Sequence, residues 1–319
     1  MNRRSFLGVT AGLALVDKVV PAAAPIPIID THIHLFDPFR PGGAPWPSAK
    51  NPDHAVMYKT TLPSRYRPIA EPLGIVGAIE IECSPLLEDN QWVLDVEEKE
   101  DIMVGSVGHL TPGTPEFKPN LERFHKNPLF RGIRYGLGRP GSKEPDQPEF
   151  IADLKALADA DLVLDTANPN VALLANVVRV SDKVPNLRIV IDHLPQMVPP
   201  TEPTARASYD ASMKAFRDRP QVYVKVSEVL QRLPDKSIPT DLAFYRPRLD
   251  EILDVFGPDR VLYGSDWPNG DQWLPVPVGF KIVQEYFAGK GREVSEKYFW
   301  RNSVKCYKWV KRTPAQRQA

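Results

Sequence analysis

Apolar residues along this chain fall into short runs separated by longer segments with helical spacing. The runs cover residues 26–34, 74–83, 103–110, 130–137, 162–167, 188–194, 222–228 and 260–266, each of strand length. Between them, segments such as NQWVLDVEEKE, NLERFHKN, EFIADLKALADA, VALLANVVRVSDKV, SYDASMKAFRDR and FYRPRLDEILDVF repeat apolar residues at helical intervals, the stripe of a helix buried on one side. VGFKIVQEYFAG and SEKYFWRNSVKCYKWV follow the eighth run as a closing pair. Eight strands with seven intervening helices predict a single-domain α/β fold, a (β/α)8 TIM barrel with an extra C-terminal helix. A doubly wound open sheet would need a Gly-rich phosphate loop after the first strand, and none follows it.

Polar chemistry collects at the C-terminal ends of these runs: His32 and His34 in IIDTHIHLFDP, His193 in IVIDHLPQ, Asp266 in VLYGSDWPNGD. Residues i and i+2 of a strand share a face, so His32 and His34 are expected side by side in the barrel mouth, where barrel enzymes keep their active sites. Alternation extends the set. Isoleucine alternates with glutamate through Ile79-Glu80-Ile81-Glu82, and valine with polar residues through Val222-Tyr223-Val224-Lys225-Val226-Ser227. With helices covering the outside, the polar members are expected to face the lumen: Asp30, Glu80, Glu82, Lys225 and Ser227. Buried charge needs a partner, so Lys225 is expected to pair with the deeper carboxylates Glu80 and Asp30, leaving Glu82 and Ser227 for the site.

Composition adds a few limits. Lys+Arg and Asp+Glu both number 40, and no basic stripe with interleaved aromatics stands out, so nucleic acid is not an expected partner. The 34 prolines, about twice the usual share, lie mostly in connections and predict stiff loops. The start of the chain reads as a targeting segment. Asn2-Arg3-Arg4-Ser5-Phe6-Leu7 fits a twin-arginine export motif, and the apolar run after it is too short to span a bilayer. Residues 1–22 are therefore expected to be a signal peptide and 23–319 the barrel, in a periplasmic protein with no membrane contact after cleavage. The oligomeric state is not legible. Cys83 and Cys306, at a strand end and in the last helix, read as two separate thiols.

IIDTHIH at strand one, FRGIRYG at strand four, IVIDHLP at strand six and LYGSDWP at strand eight, in that order, resemble the amidohydrolase superfamily. The resemblance is to its amidohydrolase-2 branch, with sugar-acid lactonases and 2-pyrone-4,6-dicarboxylate lactonase, and runs over about residues 26–309. It implies a hydrolase that opens a lactone of a sugar acid or related carboxylic acid. Asp266 would activate water, and His32, His34 and His193 would polarise the carbonyl directly or through a metal. This chemistry agrees with what ester hydrolysis needs, a base near water and donors where the oxyanion grows.

The chain departs from the zinc-dependent members. Strand five ends Leu164-Asp165-Thr166-Ala167-Asn168 without a His, and strand four ends Arg134-Tyr135-Gly136 without a Lys. The expectation is no metal or one zinc on His32, His34 and Asp266, with Glu82 as a possible addition, and no binuclear site. Arg134 is expected to clamp a substrate carboxylate, with Arg139 in the following loop. Tyr135, Glu82 and Trp267 complete the expected substrate contacts. Trp46, Tyr58 and Trp273 are placed near the pocket, His109 at its rim, and His54 and His125 at the surface. The alternatives are a metal-dependent non-oxidative decarboxylase of the same superfamily, and a barrel that binds its ligand without turnover. The polar residues from 311 to 319 predict a loose tail.

Overall fold

The computed structural model describes residues 24–138 and 143–318, so the expected signal peptide and Arg139 lie outside the described residues. Eight parallel strands pair in sequence order: β1 (Ile28–Ile33), β2 (Ile75–Ile81), β3 (Met103–Gly108), β4 (Phe130–Arg134), β5 (Val163–Thr166), β6 (Arg188–Ile191), β7 (Val222–Ser227) and β8 (Val261–Gly264). Seven helices connect them: α1 (Pro63–Ala70), α2 (Leu87–Glu97), α3 (Phe117–Phe124), α4 (Pro148–Asp159), α5 (Val171–Lys183), α6 (Pro203–Phe216) and α7 (Leu242–Phe256). The end of β1 meets the residues after β8 through His34 N–H donating to the Trp267 carbonyl and Asp266 N–H to the His32 carbonyl, both 2.8 Å. The fold is the expected barrel. Most strands stop one to three residues short of the apolar runs at their C-terminal ends, because the last residues of each run turn out of the sheet to form the mouth.

The closing segment is α8 (Val276–Ala288), α9 (Arg292–Glu296), a π-helical turn over Lys297–Arg301, and α10 (Asn302–Tyr307). Behind it Tyr307 and Trp309 join the lumen core, and Val310 N–H donates to the Val104 carbonyl at 2.9 Å. The expected loose tail is instead ordered: α11 (Pro314–Gln318) follows, and Gln316 is fully buried. Its amide donates to the carbonyls of Val76 and Asp101, each at 2.8 Å, so one side chain ties the chain end to the bottom of the barrel.

Alternation is real on β2 and β7, but its sense is opposite on the two strands. On β7, Tyr223 packs in the lumen and Val222, Val224 and Val226 pack under the helices, as expected. On β2 it is Ile79 and Ile81 that pack in the lumen with Ile29, Val163, Val190 and Leu262. Glu80 points outward, into a small cavity it shares with Asn90 and Val93 of α2, Ser106 and Phe130. Asp30 is also outside, pinned by the Tyr66 hydroxyl at 2.6 Å and the Ser265 N–H at 2.9 Å. Between Asp30 and Ile33, β1 spends three residues where β2 spends two, and this bulge turns His32 inward. Both sheet faces of a barrel are buried, so alternation announces two environments without saying which is the lumen.

Lys225 accordingly pairs with neither Glu80 nor Asp30. Its ammonium meets Asp165 Oδ2 at 2.6 Å and Asp192 Oδ1 at 3.0 Å, all three side chains fully buried, and Tyr307 donates to the same Asp165 oxygen. Both partners sit at strand ends, on β5 and just after β6.

Candidate active site

Asp266 is the centre of the mouth. Its Oδ2 accepts from Asn269 Nδ2 at 2.8 Å. Its Oδ1 faces three imidazoles: His34 Nε2 at 3.1 Å, His32 Nε2 at 3.4 Å and His193 Nε2 at 3.6 Å. Burial alone would raise the Asp266 carboxyl. His193, the hydrogen bond with His34, and His32 outweigh it and hold the group well below the ordinary carboxylate range. The site keeps a permanent carboxylate without exposing it.

Each imidazole is oriented from behind. His34 Nδ1 lies 2.7 Å from the Ile81 carbonyl, which can only accept, so that nitrogen carries a proton. A single cation, proton or metal, between its Nε2 and Asp266 then satisfies both atoms. His193 Nδ1 lies 2.8 Å from the Ser227 hydroxyl, which places Ser227 behind this ring. His32 Nδ1 lies 3.2 Å from Lys225 Nζ. Close approach of β8 permits this: a Cβ at Gly264 would stand 2.8 Å from that of His32. Burial pushes both His32 and His193 below the usual histidine value, and the Lys225 charge pushes His32 further.

A cavity of about 470 Å³ opens above, lined by His34, Glu82, Arg134, His193, Glu228 and Asp266 among others. That volume suits a small-molecule ligand of modest size, within the about 300–1,000 Å³ usual for such pockets. Trp46 and His109 also line it, and Trp46 packs edge-on against His34. His32 does not reach the cavity surface and lies fully buried under Asp266. Trp267 and Tyr135 are not on the wall either. Trp267 is fully buried against Tyr66, and Tyr135 packs against Phe150 of α4. Both follow the inward residues Asp266 and Arg134 by one position, which sends them outward. Trp273 lines a separate small void, and Tyr58 packs on Phe39. His54, expected at the surface, is half-buried and braces Trp46. His125 pairs with Glu122.

Glu228 received no role from the sequence, although a predicted strand ended on it. It lies 3.8 Å from His193 Nδ1, and burial and the Asp266 charge raise its carboxyl well above the usual value. Backbone geometry marks it as well. Asn168, His193, Glu228 and Asp266, just past four successive strands, all have left-handed φ, between 47° and 59°. Such backbone costs roughly 1–3 kcal/mol at residues unsuited to it, glutamate among them, and tends to collect at functional sites.

The donor set fits a divalent ion. Tetrahedral ligands at about 2.0–2.1 Å from zinc stand roughly 3.3–3.4 Å from one another, close to the 3.1 to 3.6 Å separating the three Nε2 atoms from Asp266 Oδ1. His32 Nε2 is buried without a hydrogen-bond partner. His32, His34 and Asp266 form one compatible group, His32, Asp192 and His193 a second, and His193, Glu228 and Asp266 a third. The second and third groups depend on Asp192 and Glu228, neither of which the sequence singled out as a ligand.

The sequence model for the amidohydrolase family matches residues 29–309. An L-fucono-1,5-lactonase of Burkholderia ambifaria is 26% identical over 244 residues, covering 75% of this chain and 80% of that protein. An L-rhamnono-gamma-lactonase of Scheffersomyces stipitis is 23% identical over 212 residues, 59% of this chain and 61% of its own. Among solved structures, a zinc-bound amidohydrolase from Burkholderia multivorans superposes with a TM-score of 0.77 at 20% identity, covering 89% of this chain and 99% of that one.

Proposed function

The chain belongs to the amidohydrolase family, and from that premise we propose that it is a lactonase acting on an uncharged sugar lactone. One observation carries the choice of substrate. Of the acidic and basic residues on the cavity wall, Asp266 keeps a negative charge, burial and Asp266 raise Glu228 toward its neutral form, and the one arginine among these described residues is already paired, Arg134 Nε to Glu82 Oε1 at 3.2 Å. A wall of this kind repels a dicarboxylate and accepts a neutral polyhydroxylated ring. It also repels the carboxylate that hydrolysis creates, which favours product release. The same acidity weighs against the decarboxylase alternative, whose substrate must enter as an anion.

In this reading Asp266 takes a proton from a water molecule that attacks the lactone carbonyl. His193 and Arg134, on the wall, are the donors nearest to where the oxyanion forms. The ring C–O bond then breaks, and Asp266 returns its proton to the departing ring oxygen, giving an open hydroxy acid. His32 and His34 hold and polarise Asp266 from below and beside it. A divalent ion on His32, His34 and Asp266 would supply Lewis-acid polarisation of the carbonyl.

The test is a proton-release assay on sugar lactones, L-fucono-1,5-lactone and L-rhamnono-gamma-lactone included, beside a pyrone dicarboxylate. Turnover of a neutral lactone is expected, with a fall of at least about a hundredfold in Asp266→Asn, the scale of losing general-base catalysis. More than a tenth of the wild-type rate in that variant removes Asp266 as the base. Preference for the dicarboxylate overturns the substrate assignment.

A further inference from the structure

Two buried groups compete for one nitrogen of His32. On one side Lys225 Nζ, held by Asp165 at 2.6 Å and Asp192 at 3.0 Å, has its third proton left for His32 Nδ1 at 3.2 Å. On the other, Asp192 Oδ1 lies 3.7 Å from the same Nδ1. All four side chains are fully buried, so no solvent mediates the choice. If Lys225 donates to Nδ1, the neutral ring carries its proton on Nε2 and presents an N–H to Asp266. If Nδ1 instead donates to Asp192, Nε2 presents a lone pair, the carboxylate–histidine arrangement that orients metal ligands.

We propose that Lys225 is a positioning residue that fixes the Nε2–H tautomer of His32 and thereby holds back metal binding at a donor set otherwise arranged for it. The distances favour the lysine. Its ammonium is within hydrogen-bond range of Nδ1, and Asp192 is beyond it while engaged by that ammonium. His34 differs in carrying a proton on Nδ1, fixed by the Ile81 carbonyl. The Nδ1 atoms of the His-x-His pair are therefore unlike, that of His32 facing a donor and that of His34 facing an acceptor. Zinc on His32 must first expel the Nε2 proton and break the contact with Lys225.

The inference concerns tautomer and metal affinity, so it stands or falls independently of the lactone reading. Zinc affinity is measured by competition with a chromophoric chelator, on chelator-treated wild type, Lys225→Met, and Asp165→Asn/Lys225→Met, whose second change removes the carboxylate left unpaired. Without the ammonium, Asp192 takes over Nδ1, and zinc affinity is expected to rise about 10–100-fold, the range spanned by such orienting partners. Affinity that is unchanged or weaker in a variant with native circular dichroism overturns the proposal. Nitrogen-15 spectra of ring-labelled histidine in zinc-free wild type, with His32 assigned by His32→Gln, give a second decision that needs no lysine variant. A protonated Nε2 on His32 supports the proposal, and a protonated Nδ1 overturns it.

Discussion

The lumen and the outer layer of this barrel both bury carboxyl groups, but only the lumen buries a cation beside them. Below the mouth, Asp165 and Asp192 share Lys225, which keeps its charge because the two carboxylates outweigh the burial that would lower it. Outside the sheet, Glu80 and Glu97 are buried as deeply, and the attraction of Arg134 and Arg312 does not offset burial. Glu97 is pushed up to about 8, and Glu80 rises well above the usual range, raised further by Glu97 and Glu82. Depth is the same in both places. What differs is a cation within ion-pair distance: burial raises Asp165 to about 7 even beside Lys225, with Asp192 adding to the rise, but the lysine stays charged, while the outer pair has no such partner and behaves as neutral acid.

The comparison breaks most visibly if the cation is removed. Lys225→Met leaves Asp165 and Asp192 buried without their partner, and uncompensated buried charge typically costs about 3–5 kcal/mol. A fall of that size in unfolding free energy is expected from denaturant midpoints at neutral pH. Asp165→Asn/Lys225→Met should recover part of it, because one of the two stranded charges is gone. If the single variant is as stable as wild type, Lys225 is not what balances the lumen.

Removing the charge from the outer pair should do the reverse. Burial pushes Glu97 up to about 8 in the fold, against the ordinary value of 4.5 when exposed. Below pH 4.5 both states hold the proton and folding is indifferent to it. Between 4.5 and 8 only the unfolded chain releases the proton, so wild-type stability falls as pH rises, and above 8 the loss levels off. Glu97→Gln does not titrate. It is expected to pull ahead of wild type from pH 5 to pH 8, by on the order of 3 kcal/mol at the top. A gap between the two melting temperatures that stays constant with pH would mean Glu97 is already ionised in the fold.

This contrast also explains how far the sequence could be read. Alternation and strand-end chemistry are local, so the barrel, His34, His193, Asp266 and Arg134 were legible, and each lies at the mouth. The sense of alternation depends on what packs against each strand, and a one-residue bulge in β1 reverses it, so Asp30 and Glu80 were assigned to the wrong face. Trp267 and Tyr135 went astray for the same reason, adjacent to inward residues and therefore pointing out. The partners of Lys225 come from β5 and from the residue after β6, and nothing along the chain pairs them with β7. Glu228 was visible as a carboxylate at a strand end, and strand-end position alone was the signal that could have found it.

Gln316 sharpens the comparison with a third case, a buried polar group that carries no charge. It stands at the barrel's closed end, fully buried. Its Nε2 donates to Val76 and Asp101 carbonyls, and its Oε1 accepts the N–H groups of Arg312 and Thr313 at 2.8 and 2.9 Å. Both donors and both acceptor positions of the amide are used, so it needs no counter-charge and no proton. Gln316→Ala strands two carbonyls and two N–H groups, but the chain end can loosen enough for water to reach them. The expected cost is therefore about 1–2 kcal/mol, smaller than either charged case and independent of pH between 5 and 8. Hydrogen exchange should localise the loss to residues 311–318 and the start of β2, leaving the mouth protected. If exchange at the mouth rises as well, the two ends of the barrel are coupled, and the lumen charge network depends on the chain end beneath it.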